Sequence, residues 1–344
     1  MPTIRDVADR AGVSTATVSY VLNRTGSVTA ATRARVLEAA ESLRYQPNHS
    51  ARSLRTRSQT LGLVMPSADR LVEDSSAELL AGLTETAAQS GYFLLLAGAG
   101  DAEDELAVIE RLVRSGRVDG LVLLDVHLDD PRIAQLSAAE IPWVAAGGDA
   151  ALQPGRVVTF DYAGGCAAVL DEFARLGHRQ IALITPPSDL VVSDQLIAAY
   201  LAWHERAGWA VESSLLLEAD HAIGAGYRAA QELLASEQPF SAVLAGNDLI
   251  AVGVLHALAE AQLTVPDDVA LIGIGDLPIA DHTRPALTTL RAPRRRQGVE
   301  LAHRLIAAVT GGSTDRSPAV LPFHLIQRAS TARRAPERPA LIGA

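Results

Sequence analysis

The stretch that decides the fold is residues 3–23, TIRDVADRAGVSTATVSYVLN. Its apolar and small residues, Ile4, Val7 and Ala8, then Val18, Val21 and Leu22, fall at helical spacing on either side of Gly12. Gly12 stands where a tight turn needs a left-handed backbone, which costs glycine little. Thr3 followed by Asp6 is a capping-box pattern, and Ser14 stands where a second helix would start. Two short helices joined this closely form a helix-turn-helix, whose second helix projects into a DNA major groove. The alternative is an ordinary helical hairpin, which does not need cap, turn glycine and small-residue spacing to coincide.

A third helix is expected over residues 30–43, with Thr29 as its cap and Val36, Leu37, Ala40 and Leu43 as its apolar face. Pro47 ends this headpiece (1–47), because proline disfavours helical geometry in the residue before it. Residues 48–55, NHSARSLR, are compatible with a helix but too short to hold one alone in water. Residues 48–59 therefore read as a linker with a helix-compatible first part.

Charge agrees with a DNA-binding head. The chain has 344 residues and a net charge of −10. Residues 1–60 nevertheless hold nine arginines against four acids, a local +5 that leaves −15 to the rest. A basic head on an acidic body concentrates phosphate attraction at one end. The length suits two or three domains. With no apolar run of membrane-spanning length, no membrane is expected as a partner. No signal-peptide core is visible, so the expected location is cytoplasmic, at the nucleoid. The single cysteine, Cys166, excludes an intramolecular disulfide and reads as a small buried residue.

No catalytic constellation assembles: there is no P-loop, no H-E-x-x-H helix and no G-x-S-x-G elbow. Residues 273–276, GIGD, lack the third glycine of a dinucleotide turn, and the adjacent Asp281 and His282 do not make a proton relay. No enzyme activity, cofactor or metal is therefore expected. An enzyme fused to a DNA-binding head and an exported solute-binding protein are the competing classes.

From residue 60 onward, apolar runs alternate with helical periodicity. Runs at 61–66, 93–98, 119–126, 142–147, 157–161, 181–185, 241–248 and 270–276 read as buried parallel strands. Segments 77–90, 103–115 and 163–176 read as helices between them. The strands exceed one comfortable sheet, so an α/β body of two lobes is expected over 60–333, with 334–344 a disordered tail. The lobes are expected to comprise about 60–159 with 290–318, and 160–289 with 319–333. Ligands in such folds bind beyond the carboxyl ends of the strands, which selects Ser67, Asp161, Asn247, Asp248 and Asp276. Asp248 is read as a helix cap and Asp276 as a ligand contact.

The run at 3–23, with TRARVLEAAESLRYQPNHSARSLR at 32–55, resembles the lactose/galactose repressor (LacI/GalR) family of bacterial transcription regulators, and the likeness extends to about residue 330. The resemblance implies a homodimer on a pseudo-palindromic operator, under control of a small-molecule effector held in a periplasmic-binding-protein-like body. A protein partner acting on the body is the alternative means of control. It further implies base reading by Thr15, Ala16 and Tyr20, with Thr17, Ser19, Asn23 and Thr32 as phosphate contacts or caps. Tyrosine at position 20, where many relatives carry arginine or histidine, would alter the half-site; an exposed aromatic without a DNA role is the other reading of Tyr20. The resemblance makes residues 48–59 a hinge helix and linker, in which Ala51, Arg52 and Arg55 would meet DNA and Leu54 would wedge into the minor groove, unless Leu54 merely packs on the body. Effector positions fall on Ser67, Asp161, Asn247 and Asp276, with Ser75, Ser76, Leu190 and Val192 around them. Leu196 stands where most sugar- or purine-binding relatives have an arginine, which implies a cleft for something less polar than a free sugar, or for no small ligand. The tail lacks the leucine heptads of tetramerising relatives, so a dimer is expected.

Overall fold

The structure is a computed structural model that describes residues 4–22, 28–43, 58–65, 74–98, 102–236, 238–312 and 317–331. The chain divides into two compact units, Met1–Ser58 and Gln59–Ala344.

In the first unit, α1 (Ile4–Ala11), α2 (Thr15–Leu22) and α3 (Ala30–Ser42) enclose a small core. Gly12 has φ +62°. This lets Val13 N–H return to the Ala8 carbonyl at 3.0 Å and close α1. Ser14 Oγ accepts from Thr17 N–H at 3.1 Å, and Thr29 Oγ1 from Thr32 N–H at 3.3 Å, so both following helices are capped by the anticipated residues. Val7, Ala8, Ala11, Val18, Val21, Val36, Ala39 and Ala40 form the core. Leu37 does not belong to it: it is 49% exposed, because the inward positions after Val36 are Ala39 and Ala40 at i+3 and i+4. The readings placed on Thr3, Asn23, Ala51, Arg52, Leu54 and Arg55 lie outside the described residues.

The second unit holds two six-stranded sheets. The first is built from β1 (Thr60–Met65), β2 (Phe93–Gly98), β3 (Gly120–Leu123), β4 (Trp143–Ala146), β5 (Val157–Phe160) and β11 (Ala319–Leu321), in the order β11-β5-β4-β3-β1-β2. Its faces are covered by α4 (Asp74–Gln89) and α12 (Arg294–Thr310) on one side, and by α5 (Ala102–Arg114) and α6 (Pro131–Ala138) on the other. The second sheet takes β6 (Ile181–Thr185), β7 (Leu216–Glu218), β8 (Ala242–Ala245), β9 (Ala270–Gly275), β10 (Thr288–Arg291) and β12 (His324–Ile326), in the order β12-β10-β9-β8-β6-β7. Here α7 (Tyr162–Leu176) and α8 (Val191–Ala207) cover one face, α9 (Ile223–Ala235) and α10 (Asp248–Glu260) the other, and a short α11 (Ile279–His282) follows β9. All pairings are parallel except β10 with β12. The central strands are buried on both faces, which is why they read as unbroken apolar runs.

All eight anticipated strand runs of the body are strands, and β7, β10, β11 and β12 add to them. The lobe boundaries shift. β10 pairs with β9 through Arg291↔Gly275, so residues 290 and 291 belong to the second lobe. β11 pairs with β5 through Leu321↔Phe160, so 319–321 belong to the first. The chain therefore passes between lobes after Phe160, Arg291 and Leu321.

α12 lies against α4 at very short range. A Cβ on Gly82 would stand 2.1 Å from the Arg295 carbonyl, and one on Gly298 2.2 Å from that of Leu79. Only glycine permits this approach, and it carries the first turn of α12 to the cleft between the sheets.

Candidate functional site

In the headpiece, the face of α2 opposite Val18 and Val21 exposes Thr15, Ala16 and Tyr20, the last 51% exposed. Thr17 and Ser19 are half-buried at its flanks. The Thr17 hydroxyl meets Ser14 Oγ at 2.9 Å, and Thr32 Oγ1 accepts from the Thr29 hydroxyl at 2.9 Å. These two threonines thus serve their helix caps, while Thr15, Ala16 and Tyr20 point outward on one surface.

In the body, a cleft of about 120 Å³ lies at the carboxyl ends of the strands of both sheets. Most of its wall is apolar, with Met65, Leu79, Leu124, Val126, Phe160 and Leu277 among the lining residues. The polar lining comprises Ser76, Asp125, Tyr162, His221, Asn247, Arg294 and Gln297. Asn247 caps α10, its Oδ1 accepting from Ile250 N–H at 2.7 Å, and its Nδ2 lies 2.8 Å from His221 Nδ1. The low-dielectric surroundings push the Tyr162 phenol up.

Gln297 is fully buried and donates to the Val158 carbonyl of β5 at 2.8 Å. Its Oε1 accepts from Arg294 Nη1 at 3.2 Å, and the Arg294 guanidinium lies 4.9 Å from the centre of the Phe160 ring. An oriented amide and an aromatic face thus fix this cation at the cleft wall.

The loop after β3 is held from beneath by a buried cluster. Arg132 Nη1 meets Glu105 at 2.5 Å, its Nε meets Asp130 at 2.9 Å, and Nη2 donates to the Asp125 carbonyl at 2.9 Å. Burial pushes the Glu105 carboxyl up. Burial acts likewise on Asp130, but the Arg132 hydrogen bonds and charge outweigh it and bring that carboxyl down. From this fixed loop the first lobe reaches the second. Leu128 N–H donates to the Asp189 carbonyl at 2.8 Å, Val191 N–H to the Val126 carbonyl at 2.9 Å, and His127 Nδ1 lies 2.9 Å from Asp189 Oδ2. His127 and Leu190 form an antiparallel bridge, and Gln195 Nε2 donates to the Gly148 carbonyl at 3.3 Å.

Of the expected effector positions, Ser76, Val192 and Asn247 line the cleft. Ser67 and the Ser75 side chain lie outside the described residues. Four are corrected. Asp161 is exposed and caps α7 through Gly164 N–H at 2.9 Å, leaving its neighbours Phe160 and Tyr162 to face the cleft. Leu190 is 4% exposed and belongs to the bridge between lobes. Leu196, 1% exposed, packs beneath the second sheet with Tyr200 and Trp203, where an aliphatic side chain on the inner face of α8 is driven. Asp276 turns away and accepts from Arg291 Nε at 2.6 Å and Arg328 Nη2 at 2.7 Å; Gly275, one residue earlier, lines the cleft. Asp248 is structural but not the helix cap it was read as, a role that falls to Asn247: fully buried, it accepts from Leu277 N–H at 2.7 Å and the Thr289 hydroxyl at 2.6 Å.

Sequence reasoning missed Asp125, His221, Arg294 and Gln297. The end-of-strand rule that chose Asp161 would have chosen Asp125, which follows β3. Arg294 had no such signal, because it begins a run of three arginines whose other two, Arg295 and Arg296, are exposed. Cys166 is fully buried, which pushes its thiol up to about 12. Among the described residues no helix is long and apolar enough to cross a membrane, and no group of three or more acidic, His or Cys side chains could hold a metal.

A capped helix-turn-helix and a two-lobed body with a recess between its lobes define a DNA-binding regulator of the periplasmic-binding-protein-like type. Residues 3–48 match the family described as bacterial regulatory proteins, lacI family, and residues 170–331 the periplasmic binding protein-like domain. The HTH-type transcriptional regulator CelR of Thermobifida fusca is 32% identical over 335 residues, 96% of this chain and 98% of that protein. The solved CelR–cellobiose complex superposes with a TM-score of 0.73 at 30% identity, over 96% of this chain and 100% of that one. The lac repressor dimer bound to operator and the anti-inducer ONPF gives 0.79 at 26% identity, over 96% and 99%. The chain belongs to the LacI family of DNA-binding transcriptional regulators.

Proposed function

We propose that this regulator is a homodimeric repressor of a pseudo-palindromic operator, controlled by a small molecule in the cleft between its lobes. The observation that carries the reading is the surface of α2, where Thr15, Ala16 and Tyr20 are exposed on a helix pinned by Val18 and Val21. Thr15 offers a hydroxyl and a methyl, Ala16 a methyl, and Tyr20 a ring and a hydroxyl to base edges. Ser19, Asn23, Ala51, Arg52 and Arg55 serve the backbone of the duplex, Thr17 and Thr32 hold the caps of the helices that dock on it, and Leu54 wedges at its centre. The dimer is supported by the edge strand β2, which leaves Phe93 73% and Leu96 46% exposed, and by the dimeric state of the lac repressor it resembles. Ser76, Val192 and Asn247 supply part of the effector site. Effector binding changes how the lobes close across the 126–128 and 189–191 segments, and through residues 48–59 shifts the headpieces between operator-bound and free populations.

Selection from random duplexes with the full chain, followed by sizing of the complex, tests this. The expected product is an inverted repeat bound by two chains. Enrichment of no sequence, or of a single half-site bound by one chain, would overturn it. The chain works in the cytoplasm and carries no catalytic group in this scheme.

A further inference from the structure

We infer that the cleft takes a small organic oxyanion, a carboxylate on a compact apolar body, and that Arg294 is the residue that selects it. The inference rests on the effector reading of the cleft given above and specifies the ligand's chemistry.

Arg294 Nη1 is committed to Gln297, which is in turn fixed by the Val158 carbonyl. Its Nε is buried with no hydrogen-bond acceptor, and no ion pair holds Arg294 among the described residues. The Nε–Nη2 edge therefore carries two parallel N–H donors without acceptors, Nε being covered in this conformation and reached only as the cleft adjusts to a ligand, in the geometry that grips a carboxylate with two hydrogen bonds. A guanidinium is costly to leave so, because a buried donor without an acceptor forfeits its hydration. The Phe160 ring on one side and the Gln297 amide on another prevent it from swinging to water. It also opens α12, whose first turn has no side-chain cap, so the amide dipoles of that helix add positive potential at the same place.

The rest of the wall sets the body of the ligand. About 120 Å³ is well below the roughly 300–1,000 Å³ of ordinary ligand pockets, and close to the roughly 150 Å³ apolar cavity that admits benzene elsewhere. Met65, Leu79, Leu124 and Leu277 offer nothing to the hydroxyls of a sugar. Leu196, buried under the second sheet, and Gly275, without a side chain, contribute no polar group either. Among the described residues Asp125 is the one carboxylate in the lining, and an ammonium beside the ligand's carboxylate would meet it.

The test uses the full-length chain in calorimetry and thermal-shift titrations at fixed ionic strength. The probes are isobutyrate and benzoate, their neutral amides, valine as the zwitterion, inorganic phosphate, and cellobiose. A carboxylate is expected to bind at least tenfold more tightly than its amide. Arg294→Met should weaken that binding roughly ten- to a hundredfold, and Arg294→Lys, which keeps the charge but loses the paired donors, by a smaller factor. Tighter binding of valine than of isobutyrate supports the same site with Asp125 receiving the ammonium. Failure of every carboxylate at millimolar concentration, or binding of phosphate alone, overturns the inference. Cellobiose binding that Arg294→Met leaves unchanged also overturns it, while leaving the cleft an effector site.

Discussion

The headpiece and the cleft solve recognition in opposite ways. The headpiece places the residues proposed to read DNA on the outside of a single helix and, among the described residues, keeps eight small buried residues within. The cleft recesses its polar groups, draws them from segments between Ser76 and Gln297, and fixes Asn247 and Gln297 by hydrogen bonds and Arg294 against an aromatic face. An exposed helix can exchange one reading residue for another at little cost to the fold. A recessed site cannot, because its side chains are also structural.

That contrast can be broken by experiment. The largest effect is expected at Arg132. Arg132→Met would leave Glu105 and Asp130, 2% and 6% exposed, without their cation, at a cost of about 3–5 kcal/mol. Calorimetric unfolding of the body should show it, and a loss below 1 kcal/mol would mean that the loop does not depend on the cluster. Next is the pH dependence set by Asp248. Burial pushes its carboxyl from 3.8 up to about 6. The folded state then holds a proton that the unfolded chain has released, so this contribution is fully present below pH 3.8 and is lost as pH rises through about 6. The loss is on the order of 3 kcal/mol. Asp248→Asn should flatten the stability profile over that window, and an unchanged slope would assign it to other groups.

In the headpiece, Val18→Ala removes two methyl-sized groups from a core with little to spare, costing about 2 kcal/mol. DNA binding should fall while the main unfolding transition of the body stays in place; a parallel drop in both would show the two units to be thermodynamically coupled. The smallest effect on stability is expected at Tyr20. Tyr20→Ala should change it by less than about 0.5 kcal/mol yet alter the half-site enriched from random duplexes. An unchanged half-site would reduce Tyr20 to an exposed aromatic.

The same contrast explains what the sequence disclosed. The headpiece was legible because its signals are local: Gly12, Ser14 and Thr29 each act within four residues of where they stand. The strands of the body were legible because burial on both faces leaves continuous apolar runs. The cleft was not, because which side chain faces it depends on strand register and helix rotation. At the end of β9 a single step separates Gly275, on the cleft, from Asp276, which turns to Arg291 and Arg328. Leu196 occupies a position that resemblance assigns to ligand contact, but its chemistry sends it into the core. Arg294 is brought to Phe160 by the packing of α12 on α4 through Gly82 and Gly298, and nothing in its immediate neighbours announces that contact.

The three passages of the chain between lobes carry a consequence for synthesis and quality control. β11 completes the first sheet and β12 the second, and both follow every other strand among the described residues in the order of synthesis. Neither lobe can close its sheet as an early, independent product. A chain interrupted before residue 319 would expose β5 in one lobe and β10 in the other at once, two unpaired edges that invite aggregation or proteolysis.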